Sequence, residues 1–223
     1  MINKCLFDGS LPNLTAGALF VGSAGIPSLM DIRNTQIPRK LIRFDKIAKS
    51  STYRGYIHFY INDLLFIKLF NRPAYYAEKL KLFDGVITPD FSILENQSPC
   101  IQQTQTFYSR AIGYYLQKKG IPVIPSIRWG EPSSYDFCFL GIPKNSIVSI
   151  STHGCIRTRR EKESFRAGLS EMLSCLDPSS VIVHGFMPSS IFAPYQSNYQ
   201  FTRYASDTES YFSKRGGAHG AWI

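Results

Sequence analysis

Two carboxylates and one basic segment carry the reactive side chains of this sequence. Asp63 and Asp90 each follow an apolar run directly, Tyr56–Ile61 and Gly85–Thr88. Two carboxylates on one rim can hold Mg²⁺ or share acid–base work. The same positions have a purely structural use. Asn62-Asp63 can cap a helix start and Asp90 can close a turn. The basic segment is Thr152-His153-Gly154-Cys155, followed by Arg157, Arg159 and Arg160. A strand, a glycine turn and a helix start can present backbone N–H groups to an anion. The arginines add bidentate geometry for phosphate. The Gly-Lys-Ser/Thr ending of a P-loop is absent. Glu161 and Glu163 offer local pairing instead, which would make the segment an ordinary solvated helix start.

Three further positions join them. Arg128-Trp129 places a guanidinium and an indole at another run's end, where a base or sugar could stack or the indole could pack on a loop. His153, Cys155 and His184 would offer a metal or a nucleophile pair if their strands were neighbours. The candidate site is therefore Asp63, Asp90 and His153 for catalysis, Asp63 and Asp90 for Mg²⁺, and Arg128, Trp129, Arg157, Arg159 and Arg160 for phosphate or nucleotide.

Short apolar runs ending alike carry these residues at their ends. They are Tyr56–Ile61, Gly85–Thr88, Pro122–Ile127, Ser146–Ser151 and Val181–Val183. Helical stretches separate them: 62–82 with a second segment starting at Pro73, about 102–119, a short connection over 133–140, and Lys162–Leu176. Phe165, Leu169, Met172, Leu173 and Leu176 recur at helical spacing in the last. Leu41–Phe44 reads as a first or edge strand. Strands separated by helices imply right-handed βαβ units. The predicted fold is α/β, with a mainly parallel sheet of βα units, barrel-like or an incomplete (β/α) barrel. A doubly wound sheet is the alternative. Both gather ligands at the carboxyl ends of the strands. The organisation is an irregular lead-in over 1–25, one α/β domain over 26–187 and an aromatic, basic, partly ordered tail over 188–223.

Composition bounds the function. The 223 residues carry a net charge of +9, 44% hydrophobic and 18% charged residues, which is globular and not disordered composition. Residues 1–54 hold eight Lys/Arg against three Asp/Glu, a local excess of five. That excess favours anionic partners. The 5 cysteines are scattered without a Cys-x-x-Cys pair, which argues against a disulfide framework or a zinc knuckle and for a reducing, cytoplasmic setting. No apolar run reaches membrane-spanning length, so no membrane association is expected. Asp8 and Pro12 argue against a leader peptide near the mildly apolar Leu14–Ile26.

Several segments together resemble a known family, the DUF 4417 proteins of bacteria, phages and mobile elements. They are Gly25-Ile26-Pro27, Ile57–Asp63, Phe83–Ser92, Tyr108–Gly113, Gly120–Pro125 and Gly141–Ser151. Arg43 stands where the family more often has proline. The resemblance spans roughly 25–186. It implies the strand placement and one domain, draws attention to Asp63, Asp90, Arg110 and Trp129, so that Arg110 joins the phosphate- or nucleotide-binding candidates, and implies a phage or mobile-element context. It brings no activity with it.

Three functions follow as expectations. The first is a protein that binds or processes nucleic acid or a nucleotide at the strand-end rim. The second is a non-enzymatic binder that masks a host protein or sequesters a small ligand. The third is a small-molecule enzyme on a barrel scaffold.

Overall fold

The computed structural model describes residues 12–30 and 36–214, with side chains for 13–30 and 36–210. Part of the 1–25 lead-in, and Arg215 and Trp222 of the tail, lie outside the described residues.

Two short strands, β1 (Phe20–Val21) and β2 (Ile26–Pro27), form an antiparallel hairpin. Four parallel strands follow: β3 (Leu41–Arg43), β4 (Tyr56–His58), β5 (Gly85–Ile87) and β6 (Val123–Ile124). Helix α1 (Pro73–Leu80) lies between β4 and β5, and α2 (Pro99–Lys118) between β5 and β6. A second parallel sheet holds β7 (Ile147–Ser151), β8 (Ser180–His184) and β9 (Phe201–Tyr204). Helix α3 (Arg159–Leu176) joins β7 to β8, and α4 (Asp207–Lys214) follows β9.

Within each sheet the strand order is the chain order. That order lacks the reversal on which a doubly wound sheet depends. A single parallel bridge, Ser126 to Ser149, links the two sheets where β6 has run out. Ser149 N donates to Pro125 O at 2.9 Å and Ile127 N to Ser149 O at 2.8 Å. No ladder among the described residues joins β9 to β3, so the sheets do not form a closed barrel.

The strands read as continuous apolar runs because both faces are covered. Ile57, Val86 and Val123 face helices, packing with Ala77 and Leu80 of α1 and Ala111, Ile112 and Leu116 of α2. Val148, Ile150, Val181 and Val183 pack on Phe165, Leu169, Met172 and Leu173 of α3. Fully burying one such side chain stabilises the fold by about 1.5–3 kcal/mol. The alternate residues Tyr56, Ile87, Ile124, Ile147 and Ile182 point the other way. They form one cluster that draws on both sheets, with Leu41 of β3 and Tyr204 of β9 packed against it.

The expected α/β class with parallel strands is present, and several element bounds differ. The 62–82 stretch breaks into a short helical turn at Asp63–Leu65, one turn at Lys68–Asn71, and α1. Pro73 begins α1, as expected of a proline at the first helical position. The tail supplies β9, a strand not anticipated there. Among the described residues there are seven parallel strands plus the hairpin.

Candidate functional site

The inward face of the strands changes character along its length. Toward the carboxyl ends it carries His58, Ser149, Ser151 and His184, all buried. Tyr60, two residues past β4, and Ser126, two past β6, extend the same face. Buried polar groups must find partners, and these pair mainly with one another.

One chain of contacts runs from the rim inward. Arg128 pairs with the carboxylate of Asp90, whose side chain is 3% exposed. Ser126 Oγ lies 3.0 Å from Asp90 Oδ1 and 3.3 Å from Tyr60 Oη. Tyr60 Oη lies 2.6 Å from Ser149 Oγ. Burial, and then the charge of Asp90, push the Tyr60 phenol above its ordinary range, so it stays a neutral donor. Burial alone would lower the Arg128 guanidinium; the attraction of Asp90 outweighs it and holds the group fully charged.

The second group is a stack of rings. Tyr60 and His184 lie parallel, with centroids 4.6 Å apart and planes 18° apart. His58 sits 4.9 Å from His184 on centroids. Burial and the neighbouring His184 drive His58 well below its ordinary value. Burial and His153 pull His184 down to about 4. Both imidazoles are therefore neutral at pH 7. Ser151 Oγ lies 3.2 Å from His184 Nδ1. His153, exposed at the mouth, has its ring centroid 6.4 Å from that of His184.

The turn carrying His153 is held by its neighbours. Thr152 Oγ1 donates to Phe186 O at 2.6 Å. Gly185 has φ +105°, and a Cβ there would lie 2.7 Å from Thr152 Oγ1, so only glycine allows this approach. Cys155, at the end of the turn, receives a hydrogen bond from Arg128 Nη1 at 2.6 Å. Asp90, Arg128, Cys155, His153 and His184 thus come from four different strand ends onto one rim.

Other expected site residues have different placements. Asp63 accepts from Ser92 N and Ser92 Oγ, both at 3.2 Å, so it ties the loop after β4 to the loop after β5. Burial raises its carboxyl, against the Ser92 hydrogen bonds. Asp90 adds to the rise. Arg110, 2% exposed, donates to the carbonyls of Leu140, Ser126 and Cys138 at 3.1, 3.0 and 2.8 Å. Desolvation lowers it to about 10, and it remains a buried cation that ties the segment after β6 to the Cys138–Leu140 stretch. Trp129 is 8% exposed and packs on Phe165 at 5.0 Å between centroids. A Cβ on Gly168 would come within 2.1 Å of its Nε1, so α3 closes directly over the indole.

The helix start after the turn is also spoken for. Thr158 and Glu161 form a capping box, and Glu161 Oε2 accepts from Arg157 N and Thr158 N at 2.6 and 2.8 Å. The amides of Arg157 and Thr158 therefore meet this carboxylate rather than an external anion. Arg159 pairs with Glu163 and Arg160 with Glu95 at 2.9 and 3.2 Å, both on the surface. Among the described residues no group of three or more His, Cys, Asp or Glu is placed to hold a metal ion. No helix among them is long and apolar enough to cross a membrane.

Tyr60, Ser126, Ser149, Ser151 and His58 were absent from the sequence-based candidate set. Their signal was alternation. In Tyr56-Ile57-His58-Phe59-Tyr60 and Ile147-Val148-Ser149-Ile150-Ser151 the polar groups fall on every second residue.

A Gene 1 protein of Mycobacterium phage L5 is 35% identical over 131 residues, covering 59% of this chain and 57% of its own length. A Gene 1 protein of Mycobacterium phage D29 is 32% identical over 131 residues, covering 59% of this chain and 48% of its own length. The match therefore spans about half the length of these relatives. No solved structure matches. The family described as a domain of unknown function, DUF4417, matches residues 19–204, from β1 through β9, and this chain belongs to it.

Proposed function

We propose that the protein binds and processes a small anionic molecule, nucleotides included, at the carboxyl-end mouth of an open, barrel-like arrangement of its seven parallel strands. The observation that carries this reading is the polar inward face: Asp90 with Arg128, Tyr60 with Ser149, and His184 with Ser151 above an apolar floor. A core built only for stability has little use for so many buried polar groups, because each must be matched and none adds apolar burial. Parallel α/β sheets keep their sites at this end.

The roles follow from the chemistry. His153 and His184 are the acid–base pair, one wet and one dry. Asp90 sets the guanidinium of Arg128, which meets a carboxylate or phosphate of the ligand. Asp63 fixes the loop beside it. Arg157, Arg159 and Arg160 draw anions toward the mouth, helped by the net charge of +9. A Mg²⁺ ion on Asp63 and Asp90 would have to compete with Arg128 and Ser92, so it would arrive with a ligand phosphate. The setting consistent with four unpaired, described cysteines is a reducing one, such as a cytoplasm.

Thermal unfolding in the presence of nucleotides, sugar phosphates and dicarboxylates, each with and without Mg²⁺, tests the reading. A ligand at about a hundred times its dissociation constant adds about 2.7 kcal/mol, or roughly 5–10 °C for a chain of this size. Arg128→Gln should remove the shift. If no member of the panel raises the melting temperature, while DNA or RNA is retained in a manner that weakens steeply with salt, the function is nucleic-acid binding instead.

A further inference from the structure

We propose that the outer surface formed by α1 and the helical turns of Phe44–Lys49 binds the phosphate backbone of duplex DNA, apart from the mouth and independently of it.

The sequence loads this surface with one sign of charge. Residues 44–81 carry seven Lys/Arg against three Asp/Glu. Those acids are already engaged: Asp45 is bonded to Arg43, Asp63 to Ser92 and Glu78 to Lys81. Lys46, Lys49, Lys68 and Arg72 are exposed, and Lys79 is half-buried. Among the described residues none of these five cations is ion-paired with a carboxylate. Arg159, Arg160 and Arg203, elsewhere on the surface, are each neutralised by a glutamate.

Aromatic rings hold the unpaired cations instead. Lys68 Nζ lies 5.3 Å from the Phe44 ring centroid and 5.9 Å from that of Tyr76. The guanidinium carbon of Arg72 lies 4.3 Å, and Lys79 Nζ 4.6 Å, from the Tyr75 centroid. Phe44 meets Tyr76 at 5.3 Å between centroids, and Tyr76 meets Tyr75 at 5.1 Å. These three rings join the turns carrying Lys46 and Lys49 to α1 in one patch. An aromatic face attracts a cation without cancelling its charge. A carboxylate would attract it and cancel it. The cations are thus positioned in advance and keep their charge for a partner, which lowers the ordering cost of binding.

The partner follows from the charge and the rings. An extended positive surface complements a polyanion. The eight residues of α1 span about 12 Å, a length over which duplex DNA carries about seven phosphate charges. Single strands are held differently, by bases stacked on open aromatic faces. Arg72 and Lys79 already cover Tyr75, so the contact is with backbone.

Salt-titrated binding of the intact chain to a short DNA duplex, read by fluorescence anisotropy, tests this. Five phosphate contacts give a slope of about −4.5 for log affinity against log salt, or about a 500-fold loss between about 50 and 200 mM. Lys68→Gln, Arg72→Gln and Lys79→Gln combined should reduce that slope by about 3. Removing the same charge elsewhere, with Lys119→Gln, Lys144→Gln and Arg166→Gln, should leave it unchanged. If the first triple variant folds poorly, Arg72→Gln alone decides, with a slope reduced by about 1. A slope equal to that of wild type in these variants overturns the proposal. So does a loss of slope in Arg157→Gln, Arg159→Gln and Arg160→Gln instead, which would place the DNA at the mouth. A single strand bound more tightly than the duplex at every salt concentration also overturns it. The mouth is read separately, because a small-molecule thermal shift should survive the α1 variants and be lost in Arg128→Gln. No duplex binding at about 50 mM salt therefore removes this surface and leaves the small-molecule reading standing.

Discussion

The two ends of the inward strand face are built from the same strands and do different work. One step earlier than the polar groups along the inward face, Tyr56, Ile124, Ile147 and Ile182, together with Ile87, fill the space between the sheets with side chains that need only contact. At the carboxyl end His58, Tyr60, Ser126, Ser149, Ser151 and His184 fill it with groups that need partners as well. The first end is stable for a general reason and tolerates any residue of the right shape. The second depends on a particular network. Stability and chemistry are thus separated along the chain, a few residues apart on each strand.

The largest test of that separation is made at the apolar end. Ile182 is fully buried in the shared cluster. Ile182→Ala should cost about 4 kcal/mol, from lost transfer energy and the cavity left behind. Urea unfolding measures it. A loss under about 1 kcal/mol would mean that the two sheets are not tied together through this cluster.

The next test uses acid. His58 and His184 are both held neutral in the folded protein, His184 down to about 4. An unfolded histidine takes up a proton near 6.5. Between those values the unfolded chain binds more protons than the folded one. Their contribution to stability is therefore complete above about pH 6.5 and is lost as pH falls toward 4. For His184 the full effect is about 3 kcal/mol. His184→Gln should flatten the pH dependence of unfolding over this window, while Ile182→Ala should leave its slope unchanged. Equal slopes in wild type and His184→Gln would show that the imidazole is not buried neutral.

The apolar end was legible in sequence and the polar end was not, for a physical reason. A parallel strand covered on both faces reads as an apolar run, and Ile147–Ile150 or Val181–Val183 satisfies that pattern whichever face matters. The helices follow from their stripes, and Phe165 to Leu176 packs as its spacing requires. The strand Phe201–Tyr204 escaped notice because two of its four residues, Thr202 and Arg203, are polar and it sits among other aromatics. The rim was visible only as a place. Asp90, Arg128 and His153 are local strand endings, so the chain order shows them. The Asp63 to Ser92 tie and the burial of Trp129 under Gly168 depend on which loops meet across the fold. Nothing in the local sequence distinguishes Arg110, whose donors are consumed by carbonyls, from Arg128, whose donors face a carboxylate and a thiol.

The smallest effect is expected where the chemistry is placed. Ser149 is fully buried, and its hydroxyl lies 2.6 Å from Tyr60 Oη. Ser149→Ala removes one hydrogen bond without opening a large cavity. Tyr60 Oη keeps Ser126 Oγ at 3.3 Å, so it is not stranded. The stability cost should be about 1 kcal/mol, near the net worth of one neutral hydrogen bond. The functional cost should be larger in proportion, because Tyr60 also stacks on His184 and lies one hydroxyl away from Asp90. Freed from Ser149, the Tyr60 ring is less firmly oriented, and the ligand-induced thermal shift should shrink by more than the unfolding midpoint moves. A variant that loses several kcal/mol and keeps its full ligand response would reverse the assignment. The polar end would then be a structural network, and the separation along the strands would not exist.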